Sequence, residues 1–109
     1  MRILKFNVNG QTITKDPTCN FDGLVPGTEG YLQAEFTFSS DWESATKVVG
    51  FFSNMGREYA PQLLNDGKTC VIPTDALRNR IFKIQVIGKN EKHTLRTNKL
   101  AVTQKGGNV

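Results

Sequence analysis

One histidine, two cysteines and ten carboxylates are the groups this chain of 109 residues could bring to catalysis or metal binding. His93 stands between Lys92 and Thr94 in a polar stretch, where no serine or cysteine is paired with it by spacing. Nucleophilic catalysis needs a nucleophile beside a base, so His93 reads as a surface residue. Cys19 and Cys70 lie far apart, with no Cys-x-x-Cys, and a structural zinc site would need four such ligands. The pair reads as two small buried thiols, reduced, rather than a disulfide. Asp41, Glu43 and Asp66 fall in turns, where carboxylates commonly bond the local backbone. Gly27, Gly30, Gly56, Gly67 and Gly88 are spread one to a turn, and none opens a strand–loop–helix phosphate cradle. The expectation is a chain that is not an enzyme, with no catalytic residues, no cofactor-binding residues, no metal ligands and no cofactor.

Charge is more informative than nucleophiles. The net charge is +4, and it is unevenly distributed. Between Asp16 and Asp66 eight acidic residues face two basic ones, Lys47 and Arg57; from Arg78 onward eight basic residues face one acidic, Glu91. Such a division suits steering toward a charged partner or toward further copies of the chain. Lys89, Lys92, Arg96 and Lys99 cluster most tightly and are the candidate partner-binding residues. Clustered cations also suit phosphate contacts, but nucleic-acid surfaces interleave cations with exposed aromatics. Here the aromatics sit at alternate strand positions that read as core, so a protein partner is favoured over nucleic acid. No stretch approaches the roughly 20 apolar residues of a membrane helix, and the first residues lack the apolar run of a secretory leader. The reading is a protein made in a cytoplasm, without a membrane partner.

The elements that must position these cations are strands. In Tyr31–Phe38, Leu32, Ala34, Phe36 and Phe38 alternate with Tyr31, Gln33, Glu35 and Thr37, the period of a half-buried strand. Ser39-Ser40-Asp41 breaks that period and delivers Trp42, the single tryptophan. Before it, Ile3–Val8 and Gln11–Lys15 flank Asn9-Gly10, the strongest hairpin signal in the chain. Asp16–Gly30 is dense in glycine and proline and reads as an ordered loop pinned by Phe21, Leu24 and Val25. After it come a core strand at Thr46–Ser53 (Val48, Val49, Phe51, Phe52) and a strand Arg57–Leu64 demoted to an edge by Pro61. Thr69–Ile72 is followed by one helical turn capped by Thr74. Ile81–Ile87 puts Phe82, Ile84 and Val86 inward against Lys83 and Gln85. His93–Gln104 returns with a bend at Thr97-Asn98. The pattern predicts an all-β fold: an immunoglobulin-like antiparallel β-sandwich, or a related barrel, of seven to eight strands with one short helical turn. Residues 1–104 form one domain and 105–109 a loose tail.

Several of these pieces taken in order carry a family likeness. Leu4–Val8 (LKFNV), Tyr31–Trp42 (YLQAEFTFSSDW), Lys47–Phe52 (KVVGFF), Cys70–Leu77 (CVIPTDAL), Phe82–Gly88 (FKIQVIG) and Arg96–Gly107 (RTNKLAVTQKGG) follow one another. Together they resemble the small immunoglobulin-like domains of structural proteins from bacteriophages and prophages of Gram-positive bacteria. Such domains occur at the start of upper baseplate and fibre proteins and as free-standing minor virion proteins. The resemblance implies a virion module, of capsid decoration, head-fibre or tail and baseplate adaptor type, whose partners are other virion proteins. Because the given chain stops at Val109, a small docking or decoration protein is expected. The alternative is a free phage-encoded inhibitor that binds a host protein or nucleic acid.

Overall fold

The computed structural model describes residues 1–105, which form nine strands, one turn of α-helix and one 3-10 turn; the tail expected at 105–109 lies, from residue 106 on, outside the described residues. The strands are β1 (Arg2–Asn9), β2 (Thr12–Lys15), β3 (Leu32–Phe38), β4 (Thr46–Ser53), β5 (Gln62–Leu63), β6 (Thr69–Val71), β7 (Ile81–Lys89), β8 (Thr94–Arg96) and β9 (Leu100–Thr103); helix α1 is Thr74–Leu77. They make two open sheets packed face to face. One is ordered β2-β1-β3-β6; the other is ordered β5-β4-β7-β8, with β9 also on β7. The mostly-β, sandwich-like expectation holds. Two details differ in the strands. Arg57–Leu64 contributes only the two residues of β5 and an isolated bridge from Glu58 to Phe52, since Pro61 interrupts the ladder. The final return is cut at Thr97–Lys99 into β8 and β9, both bonded to β7.

The first sheet is mixed, not antiparallel. β1 and β2 form the expected hairpin, but β3 runs parallel to β1, from Arg2↔Leu32 to Val8↔Phe38. Parallel neighbours need a connection of a dozen or more residues, and the loop between Lys15 and Leu32 is that connection. Its first part runs along the edge of β1 that β2 leaves free and is fastened there. Arg2 Nη2 donates to the carbonyls of Asn20 (3.0 Å) and Asp22 (2.6 Å), and the Lys5 N–H donates to Cys19 Sγ at 3.4 Å. Leu24 is buried and Phe21 packs edge-on to Phe6 with ring centroids 5.5 Å apart, but Val25 is exposed and pins nothing.

Alternation decides the core. Leu4, Phe6 and Val8, Leu32, Ala34 and Phe36, Val49 and Phe51, and Phe82, Ile84 and Val86 all face the space between the sheets, joined by buried Trp42. A row of rings runs along the first sheet: Phe6–Phe36 at 5.4 Å, Phe36–Phe38 at 6.0 Å and Phe38–Trp42 at 5.4 Å. The continuous apolar run in β4 feeds both faces. Val49 and Phe51 point in, whereas Val48 and Phe52, paired with Ile87 and Lys83, point out. Trp42 ends a single 3-10 turn, Ser40–Trp42, and its Nε1 donates to the Gly10 carbonyl at 2.8 Å. Its ring lies against Gly88 of the other sheet; a Cβ there would fall 2.6 Å from the ring.

The two sheets are also tied at one side. Asn98, in the bend between β8 and β9, donates its N–H to the Gln11 carbonyl, and its Oδ1 accepts from the Ile13 N–H at 2.9 Å. At the end opposite Trp42, the buried Gln104 donates through Nε2 to the Leu77 and Asn79 carbonyls at 3.0 and 2.8 Å. Pro73, not Thr74, precedes helix α1: its carbonyl accepts from the N–H groups of Ala76 and Leu77, and no side chain caps the turn. The proline presets its own φ, so a cap is unnecessary for so short a piece.

Gly88→Ala is expected to destabilise the domain by about 1–3 kcal/mol, the usual range for overpacking a closed core. The check is a denaturant or thermal melt. A midpoint equal to the parent's would mean that Trp42 does not depend on the missing side chain.

Candidate functional site

The cluster expected to bind partners is split by the fold. Lys89 and Arg96 both point away from the core on the outer face of the second sheet, because Lys89 is paired with Thr94, and Arg96 with Ile87. Lys92 sits in the hairpin turn, which Asn90 builds: its Oδ1 accepts from the N–H groups of Lys92 (2.8 Å) and His93 (2.9 Å). That leaves the Lys92 side chain exposed, beside Lys89 and opposite Glu43 and Ser44 across a shallow depression. Lys99 does something else. Its Nζ stands 4.1 Å from the centroid of the outward-facing Phe52 ring and covers it. Phe52, whose ring also lies over Gly50 of its own strand, is 7% exposed although it lies on the outside of its sheet. A cation over an aromatic face is worth about 0.5–1 kcal/mol at such sites, so Lys99 is engaged within the molecule.

The register adds residues that the charge pattern did not single out. Leu63, Val48, Ile87 and Arg96 form one row across four strands of that outer face. Val48 and Ile87 are half-buried and Leu63 is 68% exposed. Lys83 lies on the same face beside Phe52. The site is therefore an apolar band rimmed by cations rather than a charged hairpin alone. The signal was present in KVVGFFS: a strand apolar at successive positions must offer apolar groups to both faces.

A second surface feature lies at the side of the sandwich away from Asn98. β6 pairs with β3 only from Gln33 to Glu35, and the Phe36 N–H still reaches the Lys68 carbonyl at 2.9 Å. Beyond that, β3 borders a cleft of about 490 Å³ lined by Phe36, Phe38 and Trp42, with Glu35, Glu43, Lys47, Asp66 and Lys68 around them. Lys47 Nζ lies 5.1 Å from the Phe38 ring centroid and donates to the Ala45 carbonyl at 3.2 Å.

The acidic and basic halves of the chain do not neutralise each other. Asp75–Arg78 is the one ion pair among the described residues. Asp16 is held by its own loop: the Thr18 N–H and hydroxyl donate to Oδ1 at 2.9 and 2.8 Å, and the backbone bond above all keeps its carboxyl below its ordinary value. Among the described residues, no group of three or more His, Cys, Asp or Glu is arranged to hold a metal ion, and no helix is long and apolar enough to cross a membrane. Both cysteines are free thiols, Cys19 half-buried and Cys70 buried. Burial pushes the Cys70 thiol up to about 12. Comparison with protein-family models, curated proteins and solved structures gave no match.

The thiol chemistry gives a direct check. Because only the thiolate reacts, Cys70 should resist alkylation at pH 8 in the native protein while Cys19 is labelled, and both should label in denaturant. The folded Cys70 thiol titrates above its ordinary 9.0. Its contribution to stability is therefore complete below pH 9 and is lost as pH rises toward 12. Two labels added at equal rates to the native protein would contradict the burial of Cys70.

Proposed function

We propose that this chain is a non-catalytic binding module of a bacteriophage particle, docking onto other virion proteins through the outer face of its second sheet. The observation that carries the binding reading is the cation-rimmed band on that face. Val48, Ile87 and Leu63 supply apolar area, and Lys83, Lys89 and Arg96 border it. Protein interfaces combine an apolar centre with a charged rim that sets approach and register. Nucleic acid fits this face less well, since Phe52 lies under Lys99 and is not free to stack on a base. The particle itself, a place in capsid, head fibre or baseplate, and the kinship with immunoglobulin-like domains rest on the sequence resemblance. So does synthesis in the cytoplasm of a bacterial host. The two packed sheets are compatible with that kinship, and the parallel β1–β3 pair marks a departure from a purely antiparallel sandwich.

Reversal of Lys89, Lys92 and Arg96 to glutamate is the test, with purified phage particles as the partner. All three are exposed, so stability should change by less than about 0.5 kcal/mol per site. Wild-type protein is expected to co-sediment with particles at low and moderate salt, and the reversed protein to lose attachment most strongly at low salt, where screening is weakest. Lys99→Gln serves as the control that should bind as wild type. Equal sedimentation of wild-type and reversed proteins would remove this face from the interface. Absence of the wild-type protein from particles would overturn the virion reading.

A further inference from the structure

We infer that the open end of β3, Thr37–Ser39, is a docking slot for an extended, basic peptide segment of a partner protein, which joins the first sheet as a continuation of β6. The slot goes beyond the proposed docking face, which belongs to the other sheet. The backbone is the first reason. In β3 the even-numbered residues turn their N–H and C=O groups toward β6: Leu32 C=O accepts from Ile72, Ala34 is paired with Cys70, and Phe36 N–H donates to Lys68. Phe38 comes next in this series, after β6 has ended. Its N–H and C=O, and the C=O of Phe36, have no backbone partner among the described residues. A row of unpaired donors and acceptors along an extended strand is a template for another strand.

The other edges are interrupted at intervals, and what sets this opening apart is the aromatic-lined cleft beside it. The outer edge of β2 is occupied by the Asn98 side chain at Ile13. β5 is two residues long and follows Pro61. The outer side of β6 is occupied at Thr69 by Asn65, which exchanges N–H and C=O bonds with it. β8 and β9 are separated by the bend at Thr97–Lys99.

Side chains specify the occupant. A residue paired with Phe38 would project to the same face as Phe38, onto the cleft floor made by Phe36, Phe38 and Trp42. That position suits an aliphatic or aromatic side chain. Glu43 and Asp66 line the cleft, and Glu35, on the opposite face of β3, lines its edge where a flanking peptide residue would project; none of the three is in an ion pair among the described residues. Two ammonium groups, Lys47 and Lys68, stand against them, so the lining carries one more negative charge than positive. The uncompensated charge is negative, so lysine or arginine flanking the apolar residue completes the match.

The test is selection of binders to the intact protein from a displayed library of random peptides, followed by hydrogen exchange with a synthesised selected peptide. The expected binders alternate an apolar residue with lysine or arginine and slow exchange of the Phe38 amide by about tenfold or more, as a new strand bond requires. Glu43→Lys combined with Asp66→Asn should weaken them by about tenfold at low salt; asparagine tolerates the left-handed backbone at 66, where φ is +52°. The Lys89, Lys92 and Arg96 reversal should bind the same peptides unchanged, which separates this slot from the other face. No enrichment over a blank surface, acidic binders, or binders that leave Phe38 exchange untouched would each overturn the inference. So would a Phe38 amide protected without peptide in step with self-association, which would assign the slot to a second copy.

Discussion

The seating of Trp42 on Gly88 is the contact on which the sandwich depends. The indole belongs to the turn after β3, yet its ring rests where Gly88 of the opposite sheet has no side chain, and its nitrogen reaches back to the Gly10 carbonyl. Three pieces of backbone are thereby held at one end: the β1–β2 hairpin, the exit from β3 and the top of β7. Full burial of so large a side chain contributes several times the free energy of an ordinary surface contact. The ring also terminates the row from Phe6 through Phe36 and Phe38, so the aromatic core of the first sheet is propped against the second through it.

Much of this was legible beforehand. Strict alternation in Tyr31–Phe38 and Ile81–Ile87 identified the inward residues, and the Asn9-Gly10 turn marked a strand end, because a period of two and a glycine-bearing turn are local properties. The parallel pairing of β1 with β3 was not local. It follows from where the loop Asp16–Gly30 crosses, and that depends on the bonds of Arg2 and Lys5 to Asn20, Asp22 and Cys19, which no periodicity encodes. Likewise Thr74 has the side chain of a good cap, but Pro73 had already set the backbone.

The candidate site shows the same boundary. Counting charges found Lys89, Lys92 and Arg96, which the hairpin does present to solvent. The same count placed Lys99 with them, although its ammonium covers Phe52. Which of two neighbouring lysines is free depends on the aromatic face beneath it, and that face became visible only when Phe52 was found on the outside of its strand. The apolar band of Val48, Ile87 and Leu63 escaped for a related reason: it is assembled across β5, β4 and β7 by register and is contiguous nowhere in the chain.

The Asn98 clasp has a kinetic consequence. It joins Ile13 to a residue 85 positions later. Closing a loop of that length costs about 4 kcal/mol of chain entropy beyond the constant term, far more than one or two hydrogen bonds return. The clasp therefore forms once β7 and the first hairpin have already been brought together by their cores, late on the folding route. Interactions made after the folding barrier act on the rate of opening. On that reasoning Asn98 has little influence on how quickly the two sheets find each other, and governs how long they stay shut.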